Sequence, residues 1–154
     1  MARKPTKRQI EASESYLFRI ESLHSQYSFG DGYKLLPTAY SEHLHPEIEA
    51  TCLAPTGYKD RPTRFTLIGD RRLEQDLWMQ KHAVPHELGV GTLTMRGSQS
   101  HYLGAVPYDA AWRIQPLILA GGLRFIYLHG AAMRHGSASI GSISFYQEFD
   151  RDEA

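Results

Sequence analysis

Apolar and polar residues alternate along several short stretches of this chain. A two-residue period predicts strands, because successive side chains of an extended backbone point to opposite faces. Over residues 47–53 the apolar set Ile48, Ala50 and Cys52 alternates with Glu47, Glu49 and Thr51, and Pro55-Thr56-Gly57 ends the run. Over 64–68 Phe65 and Leu67 share one face and Gly69-Asp70 closes it, so these two runs are expected to pair as a hairpin across a loop carrying Gly57, Asp60 and Pro62. Residues 90–96 resume the alternation with Leu93 and Met95 on one side before Gly97-Ser98.

The C-terminal third carries the same signal in two forms. Residues 123–128 are apolar on both faces apart from Arg124, as a strand covered on two sides would be. Over 137–145 the apolar phase jumps from Ala138 and Ile140 to Ile143 and Phe145, and a bulge at Gly141 would absorb the extra residue. Near the N-terminus Tyr16-Leu17-Phe18-Arg19-Ile20 favours a strand by its aromatic and branched content. A helix competes there, with Ile10, Leu17, Ile20 and His24 on one stripe and Thr6 and Gln9 at capping spacing.

One helix is expected over 107–121. Pro107 suits a first helical position, Ala110, Ile114, Leu117 and Ile118 form a stripe, and Gly121-Gly122 terminates it. Pro116 removes an interior hydrogen bond, which predicts a kink or two short pieces near Gln115. Residues 71–89 give no firm element. The resulting array of about six strands and one late helix is mainly β: a sandwich or partly open barrel with the helix covering one end, with an α+β sheet as the competing architecture.

Composition narrows the setting. The chain has 154 residues, the size of one domain, read here as a flexible basic arm over 1–12, a single β-rich domain over 13–149 and a frayed acidic tail over 150–154. Seventeen basic residues balance seventeen acidic ones, so no overall field draws the protein to nucleic acid or to an anionic membrane, and such a partner has to be met locally. No apolar run approaches the roughly twenty residues that span a bilayer, and the basic start lacks the apolar stretch of a secretory signal. Cys52 is the only cysteine, which excludes an internal disulfide and fits a reducing, cytoplasmic compartment.

Several residue sets bear on chemistry. Arg3, Lys4, Lys7 and Arg8 are candidate ligand-binding residues, placed to lie along phosphates if the arm meets a nucleic acid. Tyr16, Phe18, Tyr27, Phe29, Tyr33 and Tyr40 form an aromatic inventory that a sheet face of the oligonucleotide-binding kind could stack on bases, although without a basic stripe most are expected as core and cross-strand pairs. Cys52 shares its phase with Ile48 and Ala50 and reads as a packed, inert thiol. His82 and His86, followed by Glu87, have the spacing of ligands on one helical face, but Pro85 spoils the helix. Gly136–Gly141 is one residue too long for a serine nucleophile elbow, and Gly89-x-Gly91 lacks the rest of a phosphate loop.

The sharpest cluster is His43, His45 and a carboxylate at Glu47 or Glu49, all at odd positions and so on one face of an extended strand. His-x-His-x3-Glu, with Gly57 further on, resembles the first motif of the cupin family, whose barrels commonly bind one divalent metal through such residues. The likeness covers about fifteen residues; Pro37 stands where the motif has glycine, and no second cupin motif follows. The same strand buries its even face, which turns these odd positions to solvent unless the barrel has a polar lumen. The expected function is therefore a non-enzymatic binding or accessory module without a cofactor, contacting a protein or, through the arm, a nucleic acid. A cupin-like metal-dependent enzyme or metal sensor is the alternative, and a homo-oligomer joined through an exposed sheet edge is a third reading.

Overall fold

The computed structural model describes residues 13–31, 40–73 and 89–149. Within them seven strands close into a barrel in the order β1-β2-β3-β5-β4-β7-β6. They are β1 (Ser13–Asp31), β2 (Tyr40–Ala54), β3 (Pro62–Asp70), β4 (Gly91–Arg96), β5 (Gln99–Pro107), β6 (Phe125–Ala131) and β7 (Ser137–Tyr146). Every neighbouring pair is antiparallel except β3 and β5, which run parallel. The helix α1 (Tyr108–Leu119) follows β5 directly.

Among the described residues the mainly β architecture with one long, late helix is therefore as expected, but the sheet closes and has seven strands where about six were anticipated. The strand passed over is β5. Its inward positions are Ser100, Tyr102, Gly104 and Val106, while Leu103 points outward and is exposed, so neither of its faces carries a clean apolar signal. The other strand expectations hold. Residues 16–20 are extended within β1, the β2–β3 hairpin pairs Ala50 with Thr63, and the odd residue out in β7 is Gly141, where the register jumps from His129↔Ser142 to Gly130↔Ile140.

The interior is packed with apolar side chains. Phe18, Phe65 and Tyr102 pack in sequence, Phe18 and Phe65 edge-to-face with ring centres 4.9 Å apart and Phe65 and Tyr102 tilted at 5.3 Å, and Leu67, Leu93, Ile126, Leu128 and Ile140 fill around them. The Tyr102 ring runs over Gly104 and Gly91, where a side chain's first carbon would stand 2.4 Å from its hydroxyl. Only glycine leaves that space. Residues 123–128 are covered less evenly than expected: Ile126 and Leu128 face the core, while Tyr127 lies on the outer wall against Tyr146 and stacks on Phe149 at 5.6 Å.

α1 begins one residue later than its first-turn proline suggested, with Pro107 at the cap position. Pro116 does not split it. The proline falls in the last turn, where it deprives the Trp112 carbonyl of its partner and little else, and the Gly121 and Gly122 amides then return to the Ile118 and Leu117 carbonyls. The buried face is Tyr108, Ala111 and Ile118; Leu117, placed on the apolar stripe by periodicity, is half exposed.

Candidate functional site

β1 and β2 are far longer than the barrel requires. β1 pairs with β6 only over Ser13–Arg19, with one further bond from the Ile20 amide to the Arg124 carbonyl, and β2 pairs with β3 only over Glu47–Thr51. Beyond those points the two strands pair with each other up to Asp31↔Tyr40. They project as a two-stranded ribbon past the end of the barrel that α1 covers. In register, Leu23, Ser25, Tyr27 and Phe29 face Ile48, Pro46, Leu44 and Glu42, so the ribbon's inner face continues the barrel's inner face over the helix.

Five side chains from four segments meet beneath the ribbon. The Glu42 carboxylate accepts the Tyr27 hydroxyl on Oε2 at 2.8 Å and Arg71 on Oε1, from Nη2 at 2.7 Å and Nε at 3.3 Å. Tyr108 also hydrogen-bonds to it. The Arg71 guanidinium lies 4.0 Å over the Tyr108 ring, and the Trp112 ring stands 5.5 Å from Tyr27 and 6.3 Å from Tyr108. The bonds from Tyr108, Arg71 and Tyr27 hold the Glu42 carboxyl down to about 2. Both phenols respond in the opposite sense: Tyr27 is raised chiefly by its bond to Glu42, and Tyr108 chiefly by burial. Close by, the Ser25 hydroxyl donates to the Gln115 side-chain carbonyl, whose amide donates to the Ala111 carbonyl, tying ribbon to helix a second time.

On the other flank of the helix, Ile20 and Leu23 of β1 face Ile118, Leu119 and Leu123 across a groove of about 440 Å3. Leu119 is 73% exposed there. No helix among the described residues is long and apolar enough to cross a membrane.

The sequence candidates fall elsewhere. His43 and His45 sit on the ribbon's outer face with ring centres 5.9 Å apart, beside Gln26 and Ser28. Glu49 is on the same face but is engaged by the Arg64 Nε at 2.7 Å. The set is two imidazoles and a committed carboxylate, and among the described residues no group of three or more His, Cys, Asp or Glu is placed to hold a metal ion. The cause is the barrel's own parity: its lumen is apolar, so the even face of β2 turns inward and the odd face outward. Arg3, Lys4, Lys7 and Arg8, and also His82, His86 and Glu87, lie outside the described residues. Cys52 is fully buried, and burial pushes its thiol up to about 11. Of the aromatic inventory, Tyr16 and Phe18 belong to the core, whereas Tyr27 and Phe29 are exposed on the ribbon.

What the sequence reading missed is the Glu42 cluster. Its members stand at 27, 42, 71, 108 and 112, and no local spacing joins them; only Tyr27 stood out, as one of the aromatic residues near the N-terminus. No protein-family model matches this chain, and no curated protein or solved structure does either, so the functional reading rests on its own geometry.

Proposed function

We propose that this protein is a non-enzymatic, cytoplasmic binding module that takes an extended segment of a partner protein along the free edge of β1, at the helix end of the barrel. One observation carries the reading: past Ile20, β1 has strand pairing among the described residues only with β2, and the apolar groove of Ile20, Leu23, Ile118 and Leu119 runs beside that unpaired edge. An edge offers main-chain hydrogen bonds to an added strand, and a flanking groove receives its side chains. Among the described residues, five of the eight large hydrophobic residues left exposed, Tyr27, Phe29, Trp112, Leu117 and Leu119, belong to the ribbon and the helix. Such concentration marks a contact surface more than scattered exposure does.

A photo-crosslinking residue placed at Leu119, and at Ser139 on the barrel wall as the control, tests this in the cells that make the protein. A discrete adduct with one other polypeptide from position 119 and none from 139 is expected. No adduct at 119, or the same adducts from both positions, overturns the reading; an adduct of the chain with itself replaces the partner with a second copy.

A further inference from the structure

A carboxylate with an aromatic ring beside it is a receptor for a flat cation, and here such a receptor is already filled. The Arg71 guanidinium lies over the Tyr108 ring while two of its nitrogens reach one oxygen of Glu42. Walls and occupant differ in exposure. Tyr108 is 7% exposed and packed into the core, and Glu42 is tied through its other oxygen by Tyr27, so neither depends on Arg71 for its position. The Glu42 side chain is 26% exposed and that of Arg71 is 65% exposed, so the guanidinium is the solvent-facing member of the pair. Arg72 is not a rival occupant, because Asp70 holds it through Nη2 at 2.9 Å. Trp112 borders the cluster against the rings of Tyr27 and Tyr108, so its emission reports on it.

We propose that Glu42, Tyr27, Tyr108 and Trp112 form a guanidinium-binding site, filled by Arg71 in the free chain and by an arginine side chain of the bound partner in the complex. The identity of the donor rests on the partner-binding reading above; the site itself does not. A guanidinium suits it better than an ammonium, since a planar cation covers the Tyr108 ring and still presents more than one N–H to the carboxylate. Arg71 acts as a competitor in cis, so an incoming arginine has to displace it and weak, nonspecific cations are rejected.

Chemical rescue tests the site without any partner. In a Trp78→Phe background, Trp112 is the sole tryptophan, and its emission is followed while methylguanidinium is added at constant ionic strength. Arg71→Ala is expected to give a saturable change and a rise in melting temperature, absent with sodium chloride or methylammonium. The unsubstituted Arg71 chain should need on the order of tenfold more ligand, and Arg71→Ala combined with Glu42→Gln should not respond. Arg71→Gln, which keeps most of the side-chain stem, repeats the measurement if the alanine variant does not fold. A folded Arg71 variant without a saturable response overturns the proposal, as does a response that survives Glu42→Gln, one equalled by methylammonium, or one as strong with Arg71 present. Because no partner enters, failure here leaves the crosslinking result intact, and failure there leaves this one.

Discussion

The barrel and the ribbon that projects from it are built from the same two strands, yet they are held by different physics. Within the barrel, β1 and β2 each have a neighbour on both sides and bury one face against Phe65, Leu67 and Ile126, so apolar burial and ladder hydrogen bonds act together. In the ribbon each strand has, among the described residues, a single strand neighbour, and its inner face meets α1 through a cluster of polar and aromatic contacts. A two-stranded hairpin is marginal by itself in water. The ribbon therefore depends on α1 and on Glu42, and it is the part of the protein that a solvent condition can change while the barrel stands.

Three changes separate the two regions. The largest effect is expected from Phe65→Ala, which empties the centre of the Phe18–Phe65–Tyr102 array. A loss of about 3–5 kcal/mol in global stability should follow, read by urea denaturation, with barrel and ribbon unfolding together. A much smaller loss would mean that the interior is not packed through this array.

Acid should act on the ribbon first. A carboxyl held down to about 2 in the folded chain, against an ordinary value of 4.5, stabilises the folded form above the ordinary value and loses that contribution as pH falls from about 4.5 towards 2. The groups facing it are Tyr27 from β1, Tyr108 from α1 and Arg71. Trp112 emission should therefore shift in this window while far-ultraviolet dichroism of the barrel changes less, and Glu42→Gln should flatten the shift. Emission that follows the same curve in both proteins would place the acid sensitivity elsewhere.

The smallest effect, and one of opposite sign, belongs to the barrel's only fully buried tyrosine hydroxyl that has no hydrogen-bond partner among the described residues, that of Tyr102. Removing it with Tyr102→Phe leaves the ring over Gly91 and Gly104 and deletes an unsatisfied polar group. Thermal denaturation should show no loss, and a gain of up to about 1 kcal/mol. A clear destabilisation would reveal a partner for that hydroxyl.

Much of the barrel was legible from alternation. Ile48, Ala50 and Cys52 in β2, Phe65 and Leu67 in β3, Leu93 and Met95 in β4 and the phase jump at Gly141 are local signals, and each reports which side of an extended chain faces the core. β5 was not legible, because Ser100 and Gly104 occupy inward positions that the Tyr102 ring and the close backbone packing make acceptable. The cupin-like triplet was legible as a pattern but not as a site: periodicity puts His43, His45 and Glu49 on one face, and only closure of the sheet decides that this face is the outer one.

By itself the amino-acid order determined that the chain is mainly strands, where most of them lie, which side of each is apolar, and that one helix follows residue 107. These are properties of neighbours in the chain, set by side-chain alternation and by the backbone limits of proline and glycine. Only the tertiary structure decided that the sheet closes, that β3 and β5 run parallel, and that Tyr27, Glu42, Arg71, Tyr108 and Trp112 meet. Those outcomes depend on pairing between residues dozens of positions apart, chosen by the combined burial of all seven strands, and no short stretch of sequence contains that information.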